Sequence, residues 1–128
     1  MKLGDVVRFT SDQAIGHALR EKMHVFICQT DHFRAPEEYA FLFISKADHS
    51  GCFPIAKADY DTFLEYDSFI SCGNLVFYSH QFLIDAKMEP KGAIKKEHLV
   101  ALRNHLADHD VMAIWQANVA CGGLAAAL

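Results

Sequence analysis

The 128-residue chain carries a formal net charge of −4, is 52% hydrophobic and 22% charged, and holds four cysteines and eight histidines. That length makes one domain, which buries about two-thirds of its unfolded surface, and the hydrophobic fraction excludes disorder as the default state. The acidic balance argues against a protein that coats nucleic acid non-specifically, and no apolar run approaches the roughly 20 residues of a membrane span.

Gly4–Asp5 leads into VVRF, a short opening strand. The opening MKLGDVVRF lacks the apolar core of a signal peptide, so the expected location is the cytoplasm. TSDQAIGHAL, residues 10–19, reads as one short inserted helix, with Thr10 and Gln13 in capping-box spacing and Ala14, Ile15, Ala18 and Leu19 on one face. HVFICQT (24–30) is a strand so apolar that both its faces should be buried. Residues 31–38 contain Pro36 and read as a loop.

The stretch Tyr39 to Ser79 organises the rest. Tyr39–Ser45 is a strand, Lys46–Gly51 a polar turn, Cys52–Ala56 a second short strand, and Ser68–Ser79 an apolar pair of short strands. Gln81–Ala86 is expected to extend the sheet, and Lys87–Lys91 to end it, because Pro90 cannot donate to a ladder. From Lys95 the period turns helical, with Leu99, Leu102 and Leu106 on one stripe. A second helix, Val111–Ala120, is expected to stop at Cys121–Gly122–Gly123. The fold class is mostly β (α+β): a small antiparallel structure in a single domain, 1–128, with a helical C-terminal extension over about 95–121.

Charge is unevenly spread. Asp59, Asp61, Glu65 and Asp67 share a segment without a basic residue, and read as a solvated hairpin tip. Lys87, Lys91, Lys95, Lys96 and Arg103 outnumber Glu89 and Glu97 in the next, leaving a positive surface that a polyanion can find. Cys28, Cys52, Cys72 and Cys121 have no CxxC spacing and read as free thiols.

Few motifs carry chemistry. His105 and His109 lie four apart, but the zincin glutamate is replaced by Leu106. Cys28 with His32, and His49 with Cys52, do not make the two close ligand pairs of a zinc knuckle. The acidic segment lacks the glycine and terminal glutamate of a calcium loop. There is no GxSxG, no phosphate-cradling glycine loop and no GxGxxG. No metal or cofactor is indicated.

The order of segments is more informative. GDVVRF, a long connection ending in Arg20, HVFICQT and FLFISKAD together resemble the start of the MazF/PemK family of toxin endoribonucleases. FPIAKADYDTFLEYDSFISCGNLVFYS resembles that family's middle strands, and KGAIKKEHLVALRNHL its entry into the C-terminal helix. The likeness covers roughly residues 3–106. It implies a compact SH3-like barrel with a terminal helix, usually a homodimer, that cleaves RNA without a metal and is held inactive by an antitoxin peptide. Arg20 would match the family's arginine and Ser45 its threonine or serine. Arg20 would then grip two phosphate oxygens, and Ser45 would donate to the same group as charge develops. From the residues alone, His17, His24 and His49 are candidates for proton transfer, with Lys22 and Lys46 as further substrate contacts. Glu21 stands where the family usually has proline and would compete for the guanidinium. Two other readings stay open: a non-catalytic barrel that binds a protein or nucleic acid, and a metal-binding protein using its histidines.

Overall fold

The computed structural model describes residues 1–11, 20–29, 39–46, 52–108, 112 and 114–125. Among the described residues the strands are β1 (Asp5–Ser11), β2 (Arg20–Gln29), β3 (Tyr39–Ser45), β4 (Phe53–Ile55), β5 (Ser68–Ile70), β6 (Val76–Tyr78) and β7 (Glu89–Ala93). Three α-helices are α1 (His80–Asp85), α2 (Lys96–Asp108) and α3 (Ile114–Leu124), and a 3₁₀ turn spans Lys57–Asp59. The strands pair in the order β4-β5-β3-β2-β1-β7, and β6 also pairs with β3. Every pairing is antiparallel. The sheet curls into half a barrel, so the small mostly β, barrel-like fold expected from the sequence is present.

β3 is the strand on which the rest is hung. Its side chains alternate between the two faces of the sheet. Ala40, Leu42 and Ile44 join a core with Val6, Val25 and Ile27, which α2 covers with Leu99, Leu102 and Leu106 and α3 with Ala120 and Leu124. Phe41 and Phe43 join a second, aromatic core with Val7, Phe9, Phe26, Val76, Tyr78 and Leu83 of α1. Burial on both faces explains the unbroken apolar runs of β2 and β3. On its outer edge β3 is met by two short strands in line, β6 at Tyr39–Phe41 and β5 at Ile44 and Ser45. The Ser68–Ser79 pair of strands is therefore no hairpin of its own.

Four expectations are corrected. Thr10 and Ser11 continue β1, opposite Glu21 and Arg20, so the helix expected from Thr10 does not begin there. Residues 12–19 lie outside those described. Residues 81–85 belong to α1 and Ala86 caps its C-terminal end, so the stretch does not extend the sheet; the Ser79 hydroxyl caps the other end, accepting the Phe82 N–H at 3.1 Å, a local option that outcompetes a ladder. Residues 89–93 are a strand despite Pro90, because β7 is an outer strand and Pro90 sits opposite Val7, where the register shifts. Finally, α3 runs through Gly122 and Gly123 to Leu124. A Cβ on Gly123 would lie 2.8 Å from Cys28 Cβ and 3.1 Å from Ile27 Cγ2, so glycine is there to let the helix approach β2.

Gly4 has the opposite reason for being glycine. Its φ of +89° is a left-handed conformation, and a Cβ would meet Leu99 Cδ1 at 2.9 Å. Its N–H donates to the Phe26 carbonyl and its own carbonyl accepts from Ile94, both at 2.8 Å. The Gly-Asp opening thus ties β1 to β2 and to the approach to α2.

Candidate functional site

Antiparallel pairing decides which nominated residues can meet. Arg20 opens β2 and Ser45 closes β3, and these strands are adjacent with His24 opposite Phe43. Both backbone positions therefore fall at the same end of the sheet, where Arg20 faces Ser11 of β1 and Ser45 faces Phe69 of β5. Ser45 is half-buried. The Arg20 side chain, like His17 and His49, lies outside the described residues.

Two lysines stand at this end. Lys22, half-buried, holds its ammonium 5.4 Å from the centre of the Phe43 ring. Lys46, exposed and next to Ser45, holds its own 5.7 Å from the Tyr66 ring. Each charge rests on an aromatic face, a weak attraction near the surface.

His24 is different from what its sequence position suggested. It is fully enclosed, at 0% exposure. Its ring stacks on Phe9 with centroids 3.9 Å apart and 9° between planes, and Phe41, Phe43 and Tyr78 surround it. Nδ1 lies 2.9 Å from the Lys22 carbonyl. A carbonyl only accepts, so Nδ1 carries the proton and Nε2 is left bare, with no hydrogen-bond partner among the described residues. Desolvation pulls the pKa down to about 3, against the carbonyl's opposing pull and with a further push from the Lys22 charge. The ring is neutral at pH 7 and off the surface on which a polymer would lie. His24 is a core residue.

The sequence reading missed one polar group of side chains. Tyr60, 4% exposed, accepts the Lys95 N–H on its hydroxyl at 3.0 Å and shares a short hydrogen bond with His98 Nδ1. The Lys95 ammonium lies 5.7 Å from the Tyr60 ring and 3.6 Å from the Asp59 carboxylate. Burial first, then the charges of Asp59 and Glu97, raise the phenol's pKa against the pull of the Lys95 N–H. Lys95 precedes α2 and His98 is its third residue. In a capping box that third side chain would itself reach the free N–H; here Tyr60 relays the contact. Thirty-five residues separate Tyr60 from Lys95, so no local pattern announces the pair. The arrangement fastens the acidic connection to the start of α2.

No group of three or more His, Cys, Asp or Glu among the described residues could hold a metal ion. His105 packs edge-on against Phe53 at 5.7 Å, whereas His32 and His109 lie outside the described residues. Cys72 is buried and its thiol is pushed up to about 12, chiefly by desolvation. No described helix is long and apolar enough to cross a membrane.

Comparison with models of known protein families finds no match, and no curated protein matches the chain either. The likeness to MazF/PemK toxins rests on the residues quoted for it above.

Proposed function

We propose that this protein is an SH3-like barrel of the MazF/PemK kind, a metal-independent endoribonuclease of a toxin–antitoxin pair. What supports the reading is the common end of β2 and β3, which puts the positions of Arg20 and Ser45 on neighbouring strands. Lys22 and Lys46 add two positive charges close by.

In this mechanism the RNA's own 2′-oxygen forms a bond to phosphorus while the bond to the 5′-oxygen breaks. The proton lost by the 2′-hydroxyl is replaced by one delivered to the leaving oxygen. Arg20 grips two non-bridging oxygens, and Ser45 donates to the charge that builds on them. With His24 sealed in the aromatic core, proton transfer falls to His17 or His49. An antitoxin peptide would silence the protein, which would work as a homodimer.

The test is cleavage of a long unstructured RNA in EDTA by wild type, Arg20→Ala and Ser45→Ala. The wild type should cut, and each variant should lose at least about a hundredfold in rate, as when an oxyanion donor is removed. Absence of cleavage by folded, antitoxin-free protein would leave the barrel as a non-catalytic binding module. Cleavage indifferent to both substitutions would place the chemistry elsewhere.

A further inference from the structure

At the opposite end of β3 from Ser45 lies a pocket of about 240 Å³. Its floor is Leu83 and Met88, and its walls are Tyr39, His80, Ile84 and Lys87. This is smaller than the roughly 300–1,000 Å³ of pockets for drug-sized ligands, so it suits a fragment-sized one. Of three large apolar side chains left exposed among the described residues, two, Met1 and Ile84, stand at its rim.

Lys87 is the unusual member. The turn after α1 has the hydrogen bonds of a Schellman motif: Lys87 N–H to the Ile84 carbonyl at 3.1 Å, and Met88 N–H to the Leu83 carbonyl at 3.3 Å. That motif calls for glycine at the left-handed position. Lysine holds it here with φ 54°, and among the described residues no other non-glycine has a positive φ. Strain of this sort points to a use for the side chain.

Charge complementarity says which use. Lys87 is exposed and has no ion pair among the described residues. No carboxylate among the described residues lines the pocket. The two acidic neighbours are engaged elsewhere, Asp85 by Gln81 at 2.9 Å and Glu89 by Lys91 at 2.8 Å. Tyr39 and His80 meet at 3.4 Å, a long contact that leaves the hydroxyl and imidazole with capacity for a better partner. The geometry points to a binding site for a small monocarboxylate with a compact apolar body: the body on Leu83, Ile84 and Met88, the carboxylate on Lys87 and the Tyr39–His80 pair. This site is independent of the phosphate chemistry proposed at the other end of β3.

Octanoate is a suitable probe, titrated at pH 7 while the methyl resonances of Leu83, Ile84 and Met88 are followed by NMR. Those methyls should shift together, with a dissociation constant of about a millimolar for so few atoms. Octanamide, without the charge, should bind up to about fivefold more weakly, the most that an exposed ion pair adds. Lys87→Gly removes the ammonium and relieves the backbone, so it should melt higher than wild type yet bind octanoate up to about fivefold more weakly. Lys87→Arg should keep the binding. Equal affinity for octanoate and octanamide, unshifted methyls, or undiminished binding by Lys87→Gly would each overturn the proposal.

Discussion

His24 carries a free-energy consequence that can be read against pH. In the unfolded chain its pKa is the ordinary value near 6.5, and in the fold it falls to about 3. The native state therefore binds fewer protons than the unfolded state, and stability rises with pH across that window. Its contribution is complete above about pH 6.5 and drains away as the pH falls toward 3. Between pH 6.5 and pH 4 the loss should reach about 3 kcal/mol. His24→Phe, which preserves the stacking, should lack this part of the acid sensitivity when urea unfolding is measured at both pH values. An equal acid loss in the variant would mean that other groups are responsible. The sequence nominated His24 for proton transfer; its ring's fate depended on Phe9, Phe41, Phe43 and Tyr78 folding around it, and all four lie more than a dozen residues away. Arg20 and Ser45 were nominated only by what the resemblance to MazF/PemK toxins implies. Their common location needed the register of β2 with β3.

At the level of single elements, strong patterns were read well and glycines and prolines were not. β3 was recognised over its full span, and α2 announced itself through the three- and four-residue spacing of Leu99, Leu102 and Leu106. The Gly122–Gly123 pair looked like a helix stop because glycine is the common residue there. Its actual role depends on a neighbour in β2 that no local rule contains. The two glycines consequently predict opposite signs. Gly122 has open space where a Cβ would go, so Gly122→Ala should gain up to about 1 kcal/mol from helix propensity. Gly123→Ala gains the same propensity but drives a Cβ into Cys28 and Ile27, and overpacking of about 1–3 kcal/mol should outweigh it. Thermal melts of the two single variants decide the matter. Equal shifts in one direction would mean that α3 does not sit on β2 this closely.

For the molecule as a whole, β3 joins two cores that face opposite ways. Leu42 belongs to the helix-covered core and Phe41 to the aromatic one. Because one strand supplies both, loss of either should weaken the same cooperative unit. Leu42→Ala and Phe41→Ala should each cost about 2–5 kcal/mol, with a single unfolding transition that near-UV and far-UV circular dichroism report at the same midpoint. Separate midpoints would show that the faces melt independently. The mostly β class and its helical finish were legible because alternation and helical period are local signals. The half-barrel's strand order was not, since it is written in contacts between distant segments.

Among the described residues, the outer strands β4 and β7 each contain a proline, Pro54 and Pro90, whereas β6, paired only with β3, has none. A proline breaks the row of backbone donors that a free sheet edge offers to another chain. β4 is only three residues long, and β7 adds Glu89 and Lys91 beside its proline. The β4 and β7 edges are thus poor templates for end-to-end stacking of copies into a continuous sheet. Replacing both prolines with valine would remove this protection against fibre-like growth through β4 and β7.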